Sequence, residues 1–363
     1  MRVTVYDSLD ELSPACDALF EASGKASFFL TREWYCNLAA HALPEECRVR
    51  VYVADDGGKV LGILPMKYSK ERSGPFKGRK LEALSNYYSS LFMPLFSSEE
   101  SMKEIANSIV RESWDIVDLH PMPQDAPVFK EVSCAMKNAR MSVQHYCCFG
   151  NWYLKVNGRS YLEYSSVLPS QLRNTLKCKG KQFAGLASRI EIITGNEGVE
   201  EAIAAYQKVY RSSWKTDEPY PDFMPGLIRL CAEHGWLRMG VAYLDEEPVA
   251  AQLWIVKDGI ASIYKLAYDE KFSRLSAGTI LTATLMEHVI DVDRVREVDY
   301  LTGDDEYKKD WMSHRRERWG LNVCNMRTLR GIGAGVLNRM SGYAKRIGVS
   351  GKSIRLLRRT PHG

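Results

Sequence analysis

The sequence predicts a two-domain protein of the layered, mixed α/β class, and three observations carry that expectation. A chain of 363 residues is about twice the usual size of one domain. Short apolar runs alternate with amphipathic segments through both halves, which is the rhythm of strands and covering helices. The composition, 45% apolar and 26% charged, is that of a globular protein and excludes disordered or fibrous classes. No window reaches the roughly 18 uninterrupted apolar residues of a membrane-spanning helix, and the opening MRVTVYDSLDEL lacks the apolar core of an export signal. Nine cysteines without a CxxC pair do not make a disulfide framework, so a reducing, cytoplasmic setting is expected.

The first half reads as strands at Val49–Ala54, Val60–Tyr68 and Ile116–Leu119, helices at Met102–Arg111 and Val128–Ala139, and a surface loop at Ser69–Lys80. In the second half Asn174–Phe183, Val199–Trp214 and Phe223–His234 have helical periodicity. Three apolar runs follow, Leu237–Leu244, Val249–Val256 and Ile260–Leu266, separated by DEEP and KDG, turn chemistry suited to antiparallel hairpins. A helix over Gly278–Val292, a strand over Glu297–Leu301 and a last strand over Arg318–Asn325 complete the pattern. The similar order of elements in the two halves points to a pseudo-duplication, with domains at 1–150 and 151–325 and a tail at 326–363.

Charge is unevenly spread. Residues 326–363 hold nine Lys or Arg and no acidic residue, leaving the remaining 325 at about −5. Within this tail Leu329, Ile332, Gly333, Val336, Leu337, Met340, Tyr343, Ala344 and Ile347 recur at helical spacing, and Arg339, Lys345 and Arg346 fall away from them. Such a basic tail is either a solvated segment or meets an anionic surface, membrane headgroups or nucleic acid, and its helix either packs on the body or lies in a bilayer interface.

Chemistry concentrates in Ile263–Trp311. An apolar strand ending near Ala267 or Tyr268 leads through a polar loop with Arg274, Ser276 and Gly278 into a helix. A helix N-terminus offers free N–H groups and the positive end of the helix dipole, a site for phosphate or pyrophosphate.

Tyr264–Asp269 (YKLAYD), Ser276-Ala277-Gly278 and Gly303–Trp311 (GDDEYKKDW), with Ser27–Trp34 (SFFLTREW) near the start, resemble the acetyltransferase family associated with cellulose biosynthesis, relatives of the Fem-type peptidyltransferases. The resemblance implies two GNAT folds in tandem: mixed central sheets flanked by helices, with the acyl donor held by the second. It also implies an acyl-CoA or acyl carrier protein cosubstrate and no metal. Its pantetheine arm would lie on Leu266, Ala267 and Tyr268, and its phosphates on Arg274, Ser276, Ala277, Gly278 and Thr279. This loop departs from the Gly-rich GNAT pattern in the placement of Ala and Gly. Leu81–Phe96 in the first half lacks Gly altogether, as in a degenerate copy serving acceptor binding or structure.

Acyl transfer to an amine needs a proton acceptor, a polarised carbonyl and a proton for the departing thiolate. Asp269, Asp299, Asp304 and Asp305 are candidates for the first, Tyr307 for the last, and Lys308 for holding a phosphate or carboxylate. Each has a structural alternative: Asp304 and Asp305 as helix caps, Lys308 as a surface ion pair, Tyr307 and Trp311 as core. Other motifs carry less. His120 and Asp125 have HxxxxD spacing, but Pro121 and Pro123 exclude the helical geometry that would align them, so a strand-to-loop turn is expected. Cys147-Cys148 reads as buried core, Gly331–Gly335 is no dinucleotide fingerprint, and Arg173, Lys177, Lys179 and Lys181 read as a solvated face.

The expected function is N-acyl transfer to an amine. The acceptor is an amino sugar or exopolysaccharide precursor, or else an amphiphilic amino lipid met at the inner membrane face through the basic tail. The alternatives are a catalytically inactive GNAT-fold binding module and, last, an aminoacyl-tRNA-dependent transferase; nucleic acid is not an expected partner, because no long heptad arm is present.

Overall fold

A computed structural model describes residues 1–69 and 78–346, the side chains of 339–346 excepted. Most of the predicted Ser69–Lys80 loop and the segment 347–363 lie outside the described residues. The chain divides into two compact units, Met1–Cys148 with Glu317–Gly363, and Phe149–Arg316.

The first unit opens with β1 (Arg2–Tyr6), α1 (Asp17–Gly24) and α2 (Arg32–His41), then β2 (Cys47–Asp56), β3 (Lys59–Ser69), β4 (Lys80–Ala83) and β5 (Leu95–Phe96). Next come α3 (Glu99–Arg111), β6 (Ile116–Pro123), α4 (Pro127–Asn138) and β7 (Met141–Lys155), whose first half belongs here. The strand order is β1-β2-β3-β4-β6, antiparallel except for a parallel β4–β6 ladder. The SFFLTREW segment supplies caps and core: Thr31 Oγ1 accepts the Trp34 N–H at 3.2 Å, while Phe29, Leu30 and Trp34 are buried.

The second unit takes the last half of β7, then α5 (Tyr161–Ser166), α6 (Ser170–Ala184), β8 (Ser188–Ile193), α7 (Val199–Arg211) and α8 (Phe223–Glu233). Its hairpins are β9 (Leu237–Leu244), β10 (Glu247–Lys257) and β11 (Ile260–Tyr268), followed by α9 (Ala277–Glu287), β12 (Glu297–Asp299) and α10 (Lys308–Trp311). The order is β8-β9-β10-β11-β12-β7, again antiparallel except for the β11–β12 ladder. Each unit thus repeats four antiparallel strands followed by a parallel fifth, joined through a helix, and the tandem arrangement expected from the sequence is present. Trp254, Leu281 and Leu285 centre the core of the second unit. The chain then runs through β13 (His314–Asn325), which pairs with β6 in the first unit, to α11 (Leu329–Arg346).

The expected strand-to-loop turn over His120–Asp125 is present: β6 continues through both prolines, with Met122 and Pro123 paired to Trp319 and Arg318 of β13, and the turn follows at Gln124 and Asp125. One expectation needs correction. Cys147 is exposed and Cys148 half-buried, so neither is core; this part of β7 alternates between exposed and half-buried positions. Among the described side chains of α11 the small and the large apolar residues divide. Gly331, Ala334 and Gly335 are buried, whereas Leu329 (89% exposed), Ile332, Val336 and Leu337 are exposed. Small residues allow the backbone to approach closely, and the larger apolar side chains point outward.

Candidate active site

The site is built on β11. Its ladder with β12 lasts only three residue pairs, ending at Ser262 and Asp299, so β11 continues from Ile263 to Tyr268 without β12 beside it. On its other side β11 pairs with β10 throughout, with a register shift where Leu253 and Trp254 face Lys265 and Ile263. That leaves Tyr264 as the extra residue of a bulge, which bends and twists the strand.

The start of this divergence is held by a buried ion cluster. The Arg316 guanidinium donates to Glu297 Oε1 (2.7 Å), to Asn151 Oδ1 (2.6 Å) and to Asp299. Asn151 Nδ2 donates to Asp299 Oδ1 (2.5 Å) and the Leu301 carbonyl (2.8 Å), and the Leu301 N–H also reaches Asp299 (2.7 Å). The two carboxylates raise the Arg316 pKa against the opposing effect of burial.

Beyond Tyr268 the chain forms a 3-10 turn over Glu270–Leu275 and enters α9 through Ser276, whose φ of 55° lies in the left-handed region. Ser276 makes no side-chain cap bond, so the first-turn N–H groups of α9 keep the anion-accepting character of an open N-terminus. Behind them Gln252 Nε2 donates to the Gly278 carbonyl and to Thr282 Oγ1, both at 2.8 Å, and Trp254 Nε1 donates to Gln252 Oε1 at 3.0 Å. A methyl group added at Gly278 would touch the Tyr268 ring at 3.4 Å, which places that ring against the helix start.

The predicted residues divide by location. Leu266 and Tyr268 are half-buried on β11, and Ala267 is buried; Arg274 is exposed, Ser276, Gly278 and Thr279 are half-buried, and Ala277 is buried. Asp269 is buried and caps the 3-10 turn, accepting the Lys271 N–H at 2.9 Å. Asp304 is an ion-pair partner: Arg315 donates to its Oδ2 at 2.7 Å and Trp152 Nε1 to its Oδ1 at 2.8 Å. Arg315, then Trp152, hold its carboxyl below the usual range. Lys308 is buried, and its ammonium reaches the Thr302 carbonyl (2.5 Å), the Gly303 carbonyl (3.4 Å) and Asp305 Oδ2 (3.1 Å). Three acceptors use all three donors of an ammonium, so Lys308 fastens the 302–305 turn. Gly303 is required there: φ is +103°, and a Cβ would lie 3.1 Å from both Lys308 Nζ and Asp305 Oδ2. Tyr307 is exposed and sets its ring edgewise on buried Tyr300 at 5.7 Å. Loss of solvent around the hydroxyl, with Asp305 adding, pushes Tyr307 up to about 12.

One residue had no signal in sequence. Lys215, in the connection after α7, donates to the Leu266 carbonyl at 2.6 Å and thereby reaches the diverging strand. Burial, then the charges of Lys265 and Lys308, lower its pKa to about 8. The WK pair alone could not place it, since its partner lies 51 residues away.

Among the described residues of the first unit, Glu82, Asp118 and His120 converge, but Lys80 already bridges both carboxylates, at 2.7 and 3.1 Å.

Residues 170–309 match the family model described as Acetyltransferase (GNAT) domain, so this stretch carries a GNAT acetyltransferase domain. Solved structures share the fold at low identity. FemX has a TM-score of 0.59 and 10% identity, covering 90% of this chain and 98% of its own. A tandem GNAT protein from the clavulanic acid biosynthesis pathway has a TM-score of 0.50 and 10% identity, covering 89% and 98%. The C-terminal domain of a putative lysylphosphatidylglycerol synthetase from Agrobacterium fabrum has a TM-score of 0.51 and 12% identity, covering 81% and 88%. No curated protein matches the sequence. The expected association with cellulose biosynthesis has no counterpart among these findings.

Proposed function

We propose that this protein is an N-acyltransferase that takes an acyl group from acyl-CoA, or from the pantetheine arm of a carrier protein, and passes it to an amine. The observation that carries the reading is the free run of β11 beyond Ser262, leading directly to the open N-terminus of α9. An extended pantetheine arm can lie along Leu266–Tyr268, with its phosphates on the N–H groups of Ala277, Gly278 and Thr279 and near Arg274.

The surrounding residues then take distinct parts. Lys308 positions the 302–305 turn and adds positive charge beside the site. Tyr307 keeps its proton and donates a hydrogen bond to the departing sulfur. Desolvation raises its pKa well above that of an ordinary thiol, so thiolate stabilisation is its part rather than complete protonation. Asp304, ion-paired to Arg315 with its side chain 48% exposed, and Asp305, ion-paired to Lys308 with its side chain 60% exposed, both meet solvent, and either can pass the ammonium proton to water.

The acceptor favoured is an amphiphilic amine at an anionic membrane surface. The outward Leu329, Ile332, Val336 and Leu337 on α11, within a segment of nine basic and no acidic residues, support this over a soluble amino sugar. Among the described residues no helix is long and apolar enough to cross a membrane, so contact would be interfacial.

Calorimetric titration with acetyl-CoA and with palmitoyl-CoA below its micelle concentration tests the donor. Wild-type protein is expected to bind at least one of them, and Gly278→Trp, which fills the helix start, to lose at least 10-fold in affinity while remaining folded. Binding of neither thioester would overturn the CoA reading.

A further inference from the structure

Three lysines, Lys215, Lys265 and Lys308, lie near the free run of β11 and interact with one another. Lys265 Nζ pairs with Glu218 Oε1 at 2.8 Å and Lys308 with Asp305 at 3.1 Å. Lys215 differs from both: among the described residues no carboxylate lies within ion-pair distance of it. Its ammonium rests on the neutral Leu266 carbonyl, with the Tyr210 and Trp214 rings at 5.7 and 5.6 Å. The charged groups facing it are Lys265 and Lys308, which repel it, and Glu218, which attracts it and is already engaged by Lys265.

A half-buried ammonium between two other cations is costly, and an apolar side chain of similar length would pack there at less cost. A carbonyl needs only one donor, which a neutral group could supply. The feature that would repay an unmatched cation here is an incoming anion.

We propose that Lys215 is an anion-recognition residue, which makes the site select amine acceptors that carry a phosphate or carboxylate beside the reacting nitrogen. The inference rests on the acyltransferase reading for the identity of the amine but not for the anion site itself. On binding, the anion replaces the Leu266 carbonyl as the principal partner of the ammonium. An opposite charge restores the protonated form, so binding near pH 8 takes up a proton. The same anion chemistry exists in the donor's phosphates, and the experiment separates the two sources.

Full-length wild-type protein, Lys215→Met and Lys215→Arg are titrated calorimetrically with ethanolamine, phosphoethanolamine and β-alanine, and separately with acetyl-CoA and S-acetylpantetheine. Wild type is expected to bind phosphoethanolamine or β-alanine at least 10-fold more tightly than ethanolamine. Near pH 8 the heat of binding should vary with the ionisation enthalpy of the buffer. Lys215→Met should abolish both the preference and the proton uptake, and Lys215→Arg should keep the preference. Circular dichroism confirms that the variants are folded. Equal binding of all three amines by wild type, or an unchanged preference in Lys215→Met, would overturn the proposal. So would a loss confined to acetyl-CoA and absent for S-acetylpantetheine, which would assign Lys215 to the donor's phosphates. Failure of wild type to bind either thioester would instead strike the donor reading, while the amine comparison still decides the anion site.

Discussion

Replacing Arg316 by Met probes the ion cluster from which the donor groove opens. The Arg316 side chain is 22% exposed and bridges Asp299, 7% exposed, and Glu297, 18% exposed. Removing one partner of a buried ion pair costs about 3–5 kcal/mol, because the other charge is left uncompensated. The lower end applies here, since Asp299 keeps the Asn151 amide and the Leu301 N–H. About 3 kcal/mol corresponds to a fall of roughly 6–12 °C in Tm for a unit of this size. Differential scanning calorimetry of the full chain, alongside urea unfolding followed by circular dichroism, gives both numbers. The triple variant Arg316→Met, Asp299→Asn, Glu297→Gln should recover most of the loss, because no buried charge remains. Donor affinity should fall in the single variant with the loosened β11–β12 junction. A loss below about 1 kcal/mol, the range of exposed ion pairs, would refute the buried-cluster reasoning.

Two further expectations follow from the same geometry. The Lys215 pKa falls from 10.5 to about 8 on folding, so the unfolded chain binds more protons between those values and wild-type stability rises with pH across that window. Below it the penalty is about 3 kcal/mol, and loss of the Leu266 hydrogen bond offsets about 1 of this. Lys215→Met should therefore be about 2 kcal/mol more stable at neutral pH, an advantage that disappears as pH rises through the window; a less stable variant in urea melts near pH 7 would contradict the assignment. On α11, Leu329→Glu with Val336→Glu should abolish sedimentation with phosphatidylglycerol vesicles and change stability by no more than about 0.5 kcal/mol per site; unchanged sedimentation would remove the membrane surface from the proposal.

The sequence by itself determined what local chemistry decides. The hairpins between β9, β10 and β11 turn at Asp245, Glu246, Asp258 and Gly259, all with positive φ, where turn residues announce the reversal. The helices follow from the 3.6-residue period, and the strand–loop–helix unit at Ala267–Gly278 was legible because its backbone is specified within about a dozen residues. Partnership was not legible. Asp304, read as an acid–base candidate or a cap, is claimed by Trp152, which is 152 positions away, and by Arg315. Lys308, read as a substrate-holding or surface charge, has its donors spent on its own turn. Lys215 reaches Leu266 only because the fold brings the end of α7 over the diverging edge of β11. The outward-facing apolar residues of α11 had a legible period but not a legible direction, since periodicity defines a stripe without saying what it meets. Dihedral preference and side-chain period are properties of a short segment, whereas the charge, burial and donors left to each side chain are set by residues remote in sequence. For that reason only the tertiary structure decided which lysine beside β11 remains available to a ligand.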